Sequence, residues 1–169
     1  MTVQLLAQPY DLSANGFYFE DAEAFQTKAA NLRNDYGKPV EEFELQFIDG
    51  TGIDCAFAKA FGVNQCNYAT FFECVENWED WGKIIFVIAV GECGYSFDYD
   101  TVSSSDFDVE ISGAESLREL AKQFVDDGLF GEIPQTLESY IDYDAIARDL
   151  GFDYSETQIA GETFIYRCF

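Results

Sequence analysis

The 169-residue chain carries 32 acidic and 9 basic side chains, no histidine, and a formal net charge of −23 at pH 7. This charge argues against nucleic acid and anionic membranes as partners and favours basic protein surfaces, in encounters that added salt slows. Hydrophobic residues make up 48% of the chain and aromatic residues 17%, which is enough for a folded core and excludes global disorder.

The residue types also argue against an active site. Without histidine, a Ser-His-Asp triad cannot form, and a cysteine nucleophile would lack its usual base. No phosphate-binding glycine motif is present, and the carboxylates are so many that no pair stands out as a general acid and base. Asp98 and Asp100 resemble the start of a calcium loop, but Val109 occupies the position where such a loop has glutamate. We therefore predict a protein that is not an enzyme and holds no cofactor or metal.

The five cysteines are an odd number without a C-x-x-C pair, and most have apolar or aromatic neighbours. This pattern predicts reduced, buried thiols. The first residues lack the basic and long apolar segments of a signal peptide, and the longest apolar run, residues 84–90, is too short to span a bilayer. We expect a cytoplasmic protein that does not enter a membrane.

Short strand and helix signals alternate at the start of the chain. Apolar runs predict strands over residues 3–7 and 17–19, and apolar residues at helical spacing predict a helix over 21–36. The alternation EFELQFI, residues 42–48, predicts a half-buried strand. The turn signal DGTG at 49–52 marks the first predicted boundary.

The middle of the chain is rich in aromatic residues and cysteines. Residues 54–61 and 64–78 both fit helices, and the second has so many apolar positions that we expect it to be largely buried. The run KIIFVIAV, residues 83–90, has the residue types of a buried strand. It is too short for periodicity to distinguish a strand from a helix.

A segment without basic residues, 97–111, follows this middle part. Its end alternates acidic and apolar side chains, which predicts a strand over 106–112 with Asp106, Asp108 and Glu110 on one face. Carboxylates on such a face would be about 6.6–6.8 Å apart, which is similar to the spacing of adjacent phosphates along a nucleic-acid strand.

A helix and a final strand are predicted beyond this segment. Ser112 and Glu115 fit an S-x-x-E capping box, which predicts a helix that ends at Gly128. The run TFIYRCF, residues 163–169, predicts a strand able to pair with the strand at Asp106.

Residues 131–150, GEIPQTLESYIDYDAIARDL, form the most distinctive stretch of the chain. Pro134 suits the first position of a short helix that would pack through Leu137 and Tyr140. Asp142 can cap a second helix by accepting a hydrogen bond from a backbone N–H near residues 144–145. The opposite face carries carboxylates with only Arg148 as a counter-charge. These carboxylates are Glu132, Glu138, Asp142, Asp144 and Asp149.

This stretch is similar to the C-terminal segment of the ArdA-type antirestriction proteins. The likeness lies in the proline-led short helix, the run YIDY at 140–143 and the run ARDL at 147–150, and it is clear over residues 112–150. The resemblance implies an acidic DNA mimic that blocks type I restriction–modification enzymes and forms elongated, curved dimers through its C-terminal region. It also implies a helix for the run 83–90.

Together these features predict an α+β fold, elongated overall, with antiparallel sheets packed against helices and small subdomains in series. The predicted divisions are an N-terminal α+β subdomain at 1–50, a mainly helical middle subdomain at 51–104, and a C-terminal α+β subdomain at 105–169 that carries the YIDY and ARDL runs.

The predicted function is antirestriction by DNA mimicry, in which a homodimer competes with DNA for the binding groove of a type I restriction–modification enzyme. Asp142 and Asp149 are also candidates for helix caps or for partners of Arg148. Two alternatives stay open: an acidic adaptor or chaperone for another basic or DNA-binding protein, and an acid-surfaced halophilic enzyme. The candidate partner-binding carboxylates are Asp98, Asp100, Asp106, Asp108, Glu110, Glu132, Glu138, Asp142, Asp144 and Asp149.

Overall fold

The computed structural model describes residues 2–169, which form two compact units. The first unit ends at Phe107 and the second begins at Asp108. Helices and small antiparallel sheets occur together, so the predicted α+β class is confirmed. The division into three subdomains stays a prediction.

The first unit opens with a three-stranded antiparallel sheet, in the order β2-β1-β3. Its strands are β1 (Gln4–Pro9), β2 (Phe17–Phe19) and β3 (Phe43–Asp49). The apolar runs predict the first two and the alternation EFELQFI the third, and β1 extends two residues beyond its predicted end. Helix α1 (Ala22–Asn31) lies between β2 and β3 in the chain and is shorter than the predicted helix. The carboxylate of Asp21 caps α1 by accepting a hydrogen bond from the N–H of Ala24 (2.7 Å).

Three helices and a π-helical turn complete the first unit. They are α2 (Gly52–Phe61), α3 (Tyr68–Asn77), α4 (Asp80–Phe86) and the π-helical turn Val87–Glu92. The ambiguous run 83–90 is therefore helical, as the family resemblance implies. Its strand-like residues adopt a helix because tertiary packing buries them on several sides.

Phenylalanine side chains form most of the core of this unit. Phe57, Phe71 and Phe86, one from each of α2, α3 and α4, are fully buried. The ring centroids of Phe57 and Phe86 are 5.0 Å apart, and those of Phe57 and Phe71 are 5.7 Å apart. The ring centroids of Phe19, in β2, and Phe25, in α1, are 5.0 Å apart, so this pair joins the sheet to α1. Burying each of these rings contributes about 1.5–3 kcal/mol.

A buried ion pair links the start of α2 to α4. The ammonium of Lys83 lies 2.7 Å from Oδ1 of Asp54, and the two side chains are 6% and 5% exposed. Oδ2 of Asp54 accepts hydrogen bonds from the hydroxyl (2.7 Å) and the N–H (3.3 Å) of Thr51, the residue that caps α2. Both charges are thus compensated inside the core.

In the second unit two helices pack against each other and share an apolar core with another three-stranded antiparallel sheet, in the order β4-β6-β5. Leu120, Tyr154 and Ile165 form its buried centre together with Ala114. Strand β4 pairs with β6, which confirms the predicted pairing of the final strand. The elements in chain order are β4 (Val109–Ser112), α5 (Leu117–Asp126), a 3₁₀ turn (Glu138–Tyr140), α6 (Tyr143–Leu150), β5 (Ser155–Ile159) and β6 (Glu162–Cys168).

The predicted start of α5 is wrong by four residues. The hydroxyl of Ser116 caps this helix by accepting from the N–H of Glu119 (3.1 Å), and the carboxylate of Glu119 accepts from the N–H of Glu115 (2.7 Å). Ser112 belongs instead to the end of β4, where its hydroxyl accepts from the N–H of Ala114 (3.1 Å). Pairing with β6 holds Ser112 in an extended conformation, so the earlier S-x-x-E match is not used.

The stretch after α5 contains less helix than predicted. Pro134 does not begin a helix, and Leu137 and Tyr140 are exposed rather than packed. Without an apolar face to bury, a helix this short gains too little to form. The prediction for Asp142 is confirmed, because its Oδ1 accepts a hydrogen bond from the N–H of Ala145 (3.0 Å) at the start of α6.

The prediction of reduced, buried thiols holds for one cysteine in full. Cys74 is free and buried, and burial raises the pKa of its thiol to about 11. Cys55 and Cys66 are free but exposed. Cys93 and Cys168 are disulfide-bonded, so the prediction is wrong for these two.

Candidate partner-binding surface

Both units are strongly acidic. The first contains 18 acidic and 5 basic side chains, a net charge of −13, and the second contains 14 and 4, a net charge of −10. Within residues 2–169, Asp54 is the one acidic residue that is buried. Nearly all of the negative charge therefore faces solvent, where it can meet a basic partner.

Three of the candidate carboxylates, Asp98, Asp100 and Asp106, lie in the irregular segment that ends the first unit. All three are exposed. Oδ1 of Asp98 accepts from the N–H of Asp100 (3.0 Å), and Oδ2 of Asp106 accepts from the N–H of Ser103 (2.7 Å). Asp98 and Asp106 also line an open cavity of about 520 Å³. Asp98 and Asp106 thus shape turns with one carboxylate oxygen each and can offer the other oxygen to a partner.

The predicted strand over 106–112 is shorter in the structure, since β4 begins only at Val109. Asp106 lies in a turn and Asp108 precedes the strand, so these carboxylates do not share a strand face with Glu110. The phosphate-like spacing expected from a continuous strand is therefore absent. The physical reason is the hydrogen bond from Ser103 to Asp106, which favours a turn over an extended chain.

Glu110 is already engaged within the second unit. Its two oxygens accept hydrogen bonds from the guanidinium of Arg167 (2.6 Å) and from the hydroxyl of Tyr154 (2.8 Å). The Arg167 guanidinium also lies 5.2 Å from the centre of the Tyr154 ring. Burial raises the pKa of Tyr154, and the hydrogen bond to Glu110 and its charge raise it further. Glu110 thus stabilises the sheet through β6.

Glu132 and Glu138 line an open cleft of about 490 Å³ together with Asp126. Its other lining residues include Val125, Ile133 and Tyr143, which give the cleft an apolar component. We call this feature the acidic cleft. Its lining includes three carboxylates and no basic side chain.

The remaining candidates belong to α6 and differ in role. Asp142 is the N-cap of the helix. Asp144 pairs with Arg118 of α5, with 2.9 Å between Oδ1 and Nε, and both side chains are exposed. Asp149 is exposed near the end of the helix. The sequence suggested Arg148 as the counter-charge of this stretch, but the ion pair forms with Arg118, 26 positions from Asp144.

Sequence reasoning missed Asp126 and Asp127 at the end of α5. The last turn of this helix contains no basic residue, although a helix C-terminus attracts cations and repels anions. An acidic side chain there costs roughly 0.3–1 kcal/mol. The signal in the sequence is the run VDDG at 125–128, in which two acids stand directly before the glycine that follows the helix.

Four large apolar side chains are exposed in the same part of the second unit. Tyr140 is 82% exposed, and Leu129, Phe130 and Leu137 are each more than half exposed. Side chains of this size gain by burial, which makes this segment a candidate for contact with another protein surface.

Residues 2–169 contain no group of three or more side chains placed to hold a metal ion. The same residues include no helix with the length and apolar character that crossing a bilayer requires. What the surface offers is many separate carboxylates, which attract arginine and lysine side chains.

Comparison with known proteins identifies one family. The model of the family described as "Antirestriction protein (ArdA)" matches residues 20–163, most of the chain. Among curated proteins, no match to the chain was found.

Proposed function

The chain belongs to the ArdA antirestriction family, and we propose on this premise that it is a DNA mimic, which occupies the DNA-binding groove of a type I restriction–modification enzyme. Family membership supports an antirestriction role. The observation that carries the mimic mechanism is the number of exposed carboxylates in both units. The proposal also implies a cytoplasmic protein, since the enzyme acts on DNA inside the cell.

The mechanism is electrostatic competition. A DNA-binding groove holds phosphates through lysine and arginine side chains. Each such side chain that meets a carboxylate of this protein is no longer available to a phosphate. The inhibitor needs no turnover, cofactor or metal for this, and its effect should be stoichiometric and sensitive to salt.

The proposed contacts differ in strength. Glu110 and Asp144 should contribute least, because Arg167 and Arg118 already balance their charges. Asp126 is added to the set, because it lines the acidic cleft with two of the candidates. The full set is Asp98, Asp100, Asp106, Asp108, Glu110, Asp126, Glu132, Glu138, Asp142, Asp144 and Asp149.

The proposed homodimer forms through the exposed apolar segment of the second unit. Leu129, Phe130, Leu137 and Tyr140 would pack against the same residues of a second copy, as a two-fold interface requires. Two chains of charge −23 repel each other, so added salt should strengthen the dimer. Sedimentation equilibrium tests this: the variant Leu137→Ser/Tyr140→Ser should be monomeric where the parent protein is dimeric. An unchanged mass would contradict this interface.

Displacement of DNA tests the proposed function directly. A type I methyltransferase core is bound to a labelled duplex, the protein is added, and DNA release is followed at about 0.05 M and 0.2 M salt. Stoichiometric displacement that weakens with salt supports the mimic. No displacement at large excess and low salt contradicts it and turns attention to the adaptor alternative, for which a pull-down would identify the basic partner.

Two sets of substitutions, each removing three negative charges, separate the effect of where the charge lies from the effect of how much charge there is. Neutralising the acidic cleft should weaken displacement about tenfold, from roughly 0.5 kcal/mol for each of three exposed charges. Neutralising three exposed acids elsewhere in the same unit should have a smaller effect. Equal losses would show that net charge alone matters. The cleft set is Asp126→Asn, Glu132→Gln and Glu138→Gln. The control set is Asp153→Asn, Glu156→Gln and Glu162→Gln.

A further inference from the structure

Two β-turns of the first unit are each closed by a polar side chain. In the turn 11–14, the N–H of Ala14 donates to the carbonyl of Asp11 (3.1 Å). Oδ1 of Asp11 accepts from both the N–H (2.9 Å) and the hydroxyl (2.6 Å) of Ser13. A side chain that satisfies the backbone of its own turn in this way fixes the turn locally.

The turn 34–37 is built on the same plan. The N–H of Gly37 donates to the carbonyl of Asn34 (2.9 Å), and Oδ1 of Asn34 accepts from the N–H groups of Tyr36 (3.0 Å) and Lys38 (2.9 Å). Gly37 has φ +75°, a left-handed conformation that glycine adopts without strain.

Two further hydrogen bonds join the turns to each other. The N–H of Asp35 donates to the carbonyl of Ser13 (2.8 Å), and the side-chain amide of Asn34 donates to Oδ2 of Asp11 (2.9 Å). The hydrogen bonds from Ser13 and Asn34 lower the pKa of Asp11. We call residues 11–14 and 34–37 the paired turns. Hydrogen bonds within each turn and between the two turns restrain their backbone.

The tips of the paired turns carry large apolar side chains that are exposed and take no part in the core. Leu12 is 101% exposed and Tyr36 is 79% exposed, and Tyr10, directly before the first turn, is 64% exposed. Turn tips are usually polar, because they lie in water. Large apolar side chains on a rigid support lose little conformational entropy on binding, which is the property of an interface anchor.

The charge around the paired turns restricts what can bind there. Asp35 is exposed within the second turn, and exposed Glu41 and Glu42 line an open cavity with Tyr10 and Asp11. The nearby cations, Lys38 and Arg33, are also exposed, and the guanidinium of Arg33 donates to backbone carbonyls. The unit as a whole has a net charge of −13, which repels nucleic acid and anionic lipid, and the proposed homodimer places the second copy on the other unit. The complementary occupant is a protein with a basic surface.

We infer that the paired turns dock on the target enzyme of the proposed function, with Leu12 and Tyr36 seated in apolar surface at the border of its basic groove. This inference rests on the proposed function and adds a contact that DNA itself does not make. Carboxylates then speed the encounter, and the apolar tips slow dissociation. The two contributions differ in their response to salt.

The test compares dissociation of two variants from an immobilised type I methyltransferase core. Leu12→Ser/Tyr36→Ser removes the apolar tips and retains the turns, whose hydrogen bonds use neither side chain. The control is Phe152→Ser, which removes an apolar side chain that is 87% exposed in the second unit. The double variant should dissociate at least about tenfold faster, with an unchanged salt dependence of association, whereas the control should behave as the parent protein.

The outcomes of this experiment distinguish a failure of the docking role from a failure of the proposed function. If the parent protein binds and displaces DNA but the double variant dissociates at the parent rate, the docking role of the paired turns is wrong and the mimic function stands. A loss of equal size in the control variant also overturns it, since any exposed apolar residue would then serve. If the parent protein does not bind the enzyme at all, the proposed function and this inference fail together.

Discussion

Replacing Lys83 by methionine should destabilise the first unit by about 3–5 kcal/mol at neutral pH, because it leaves the carboxylate of Asp54 charged and unpaired in the core. Methionine keeps most of the length of the lysine side chain, so the loss reports charge more than volume. The hydrogen bonds from Thr51 to Asp54 remain in the variant, so we expect a loss of stability near the lower end of that range.

The pH dependence of this loss follows from the pKa of Asp54. Burial alone would raise this pKa, but hydrogen bonds from Lys83 and Thr51, with the charge of Lys83, outweigh burial and hold it below 3.8. The pair therefore stabilises the protein above about pH 4, and its contribution is lost as the pH falls through the lowered value. The Lys83→Met variant lacks the ammonium group that lowers the pKa of Asp54, so burial should raise that pKa and Asp54 should protonate more readily. The difference in stability between this variant and the parent protein should therefore narrow in acid.

Urea unfolding followed by tryptophan fluorescence measures this change. Both tryptophans, Trp78 and Trp81, lie in the first unit, so the signal reports that unit. The double variant Lys83→Met/Asp54→Asn, which buries no charge, should be more stable than Lys83→Met alone. A loss below about 1 kcal/mol in Lys83→Met, the range of an exposed pair, would refute the argument that burial makes this pair costly to break.

Three further changes have expected outcomes of different kinds. Ser116→Ala removes the cap of α5 and should lower the free energy of unfolding by about 1 kcal/mol in urea melts followed by circular dichroism, whereas Ser116→Thr should retain most of it. Leu120→Ala leaves a cavity in the centre of the second unit and should cost about 2–5 kcal/mol in the same assay. Near neutral pH, a thiol reagent should modify Cys55 and Cys66 in the folded protein and Cys74 only after unfolding; rapid native labelling of Cys74 would contradict its burial.

Local patterns in the sequence predict most helices and strands of this fold. The alternation in residues 42–48 gives β3, because one face of that strand packs and the other is solvated. The capping box predicted at Ser112 is wrong, because strand pairing with β6 decides where β4 ends and α5 begins. The alternating pattern over 106–112 also predicts too long a strand, because a single side-chain hydrogen bond holds the chain in a turn at Asp106.

The candidate surface is predictable in composition and less so in arrangement. The excess of acid is visible in the sequence, but which acids are already paired is not. Glu110 meets Arg167 across 57 positions, and Asp54 meets Lys83 across 29. Such partners are set by the fold and carry no local signal. The paired turns were missed for the same reason, because their link between Asp11 and Asn34 spans 23 positions.

The order of strands in the two sheets has a consequence for synthesis on the ribosome. All three strands of the first sheet lie within residues 4–49, so that sheet can form while later parts of the chain are still being made. In the second sheet the central strand, β6, is the last of the three to be translated. Neither β4 nor β5 has its neighbour until then, and their edges stay open in the nascent chain. The net charge of −10 on this unit repels other copies of the same segment, which counters pairing between such open edges.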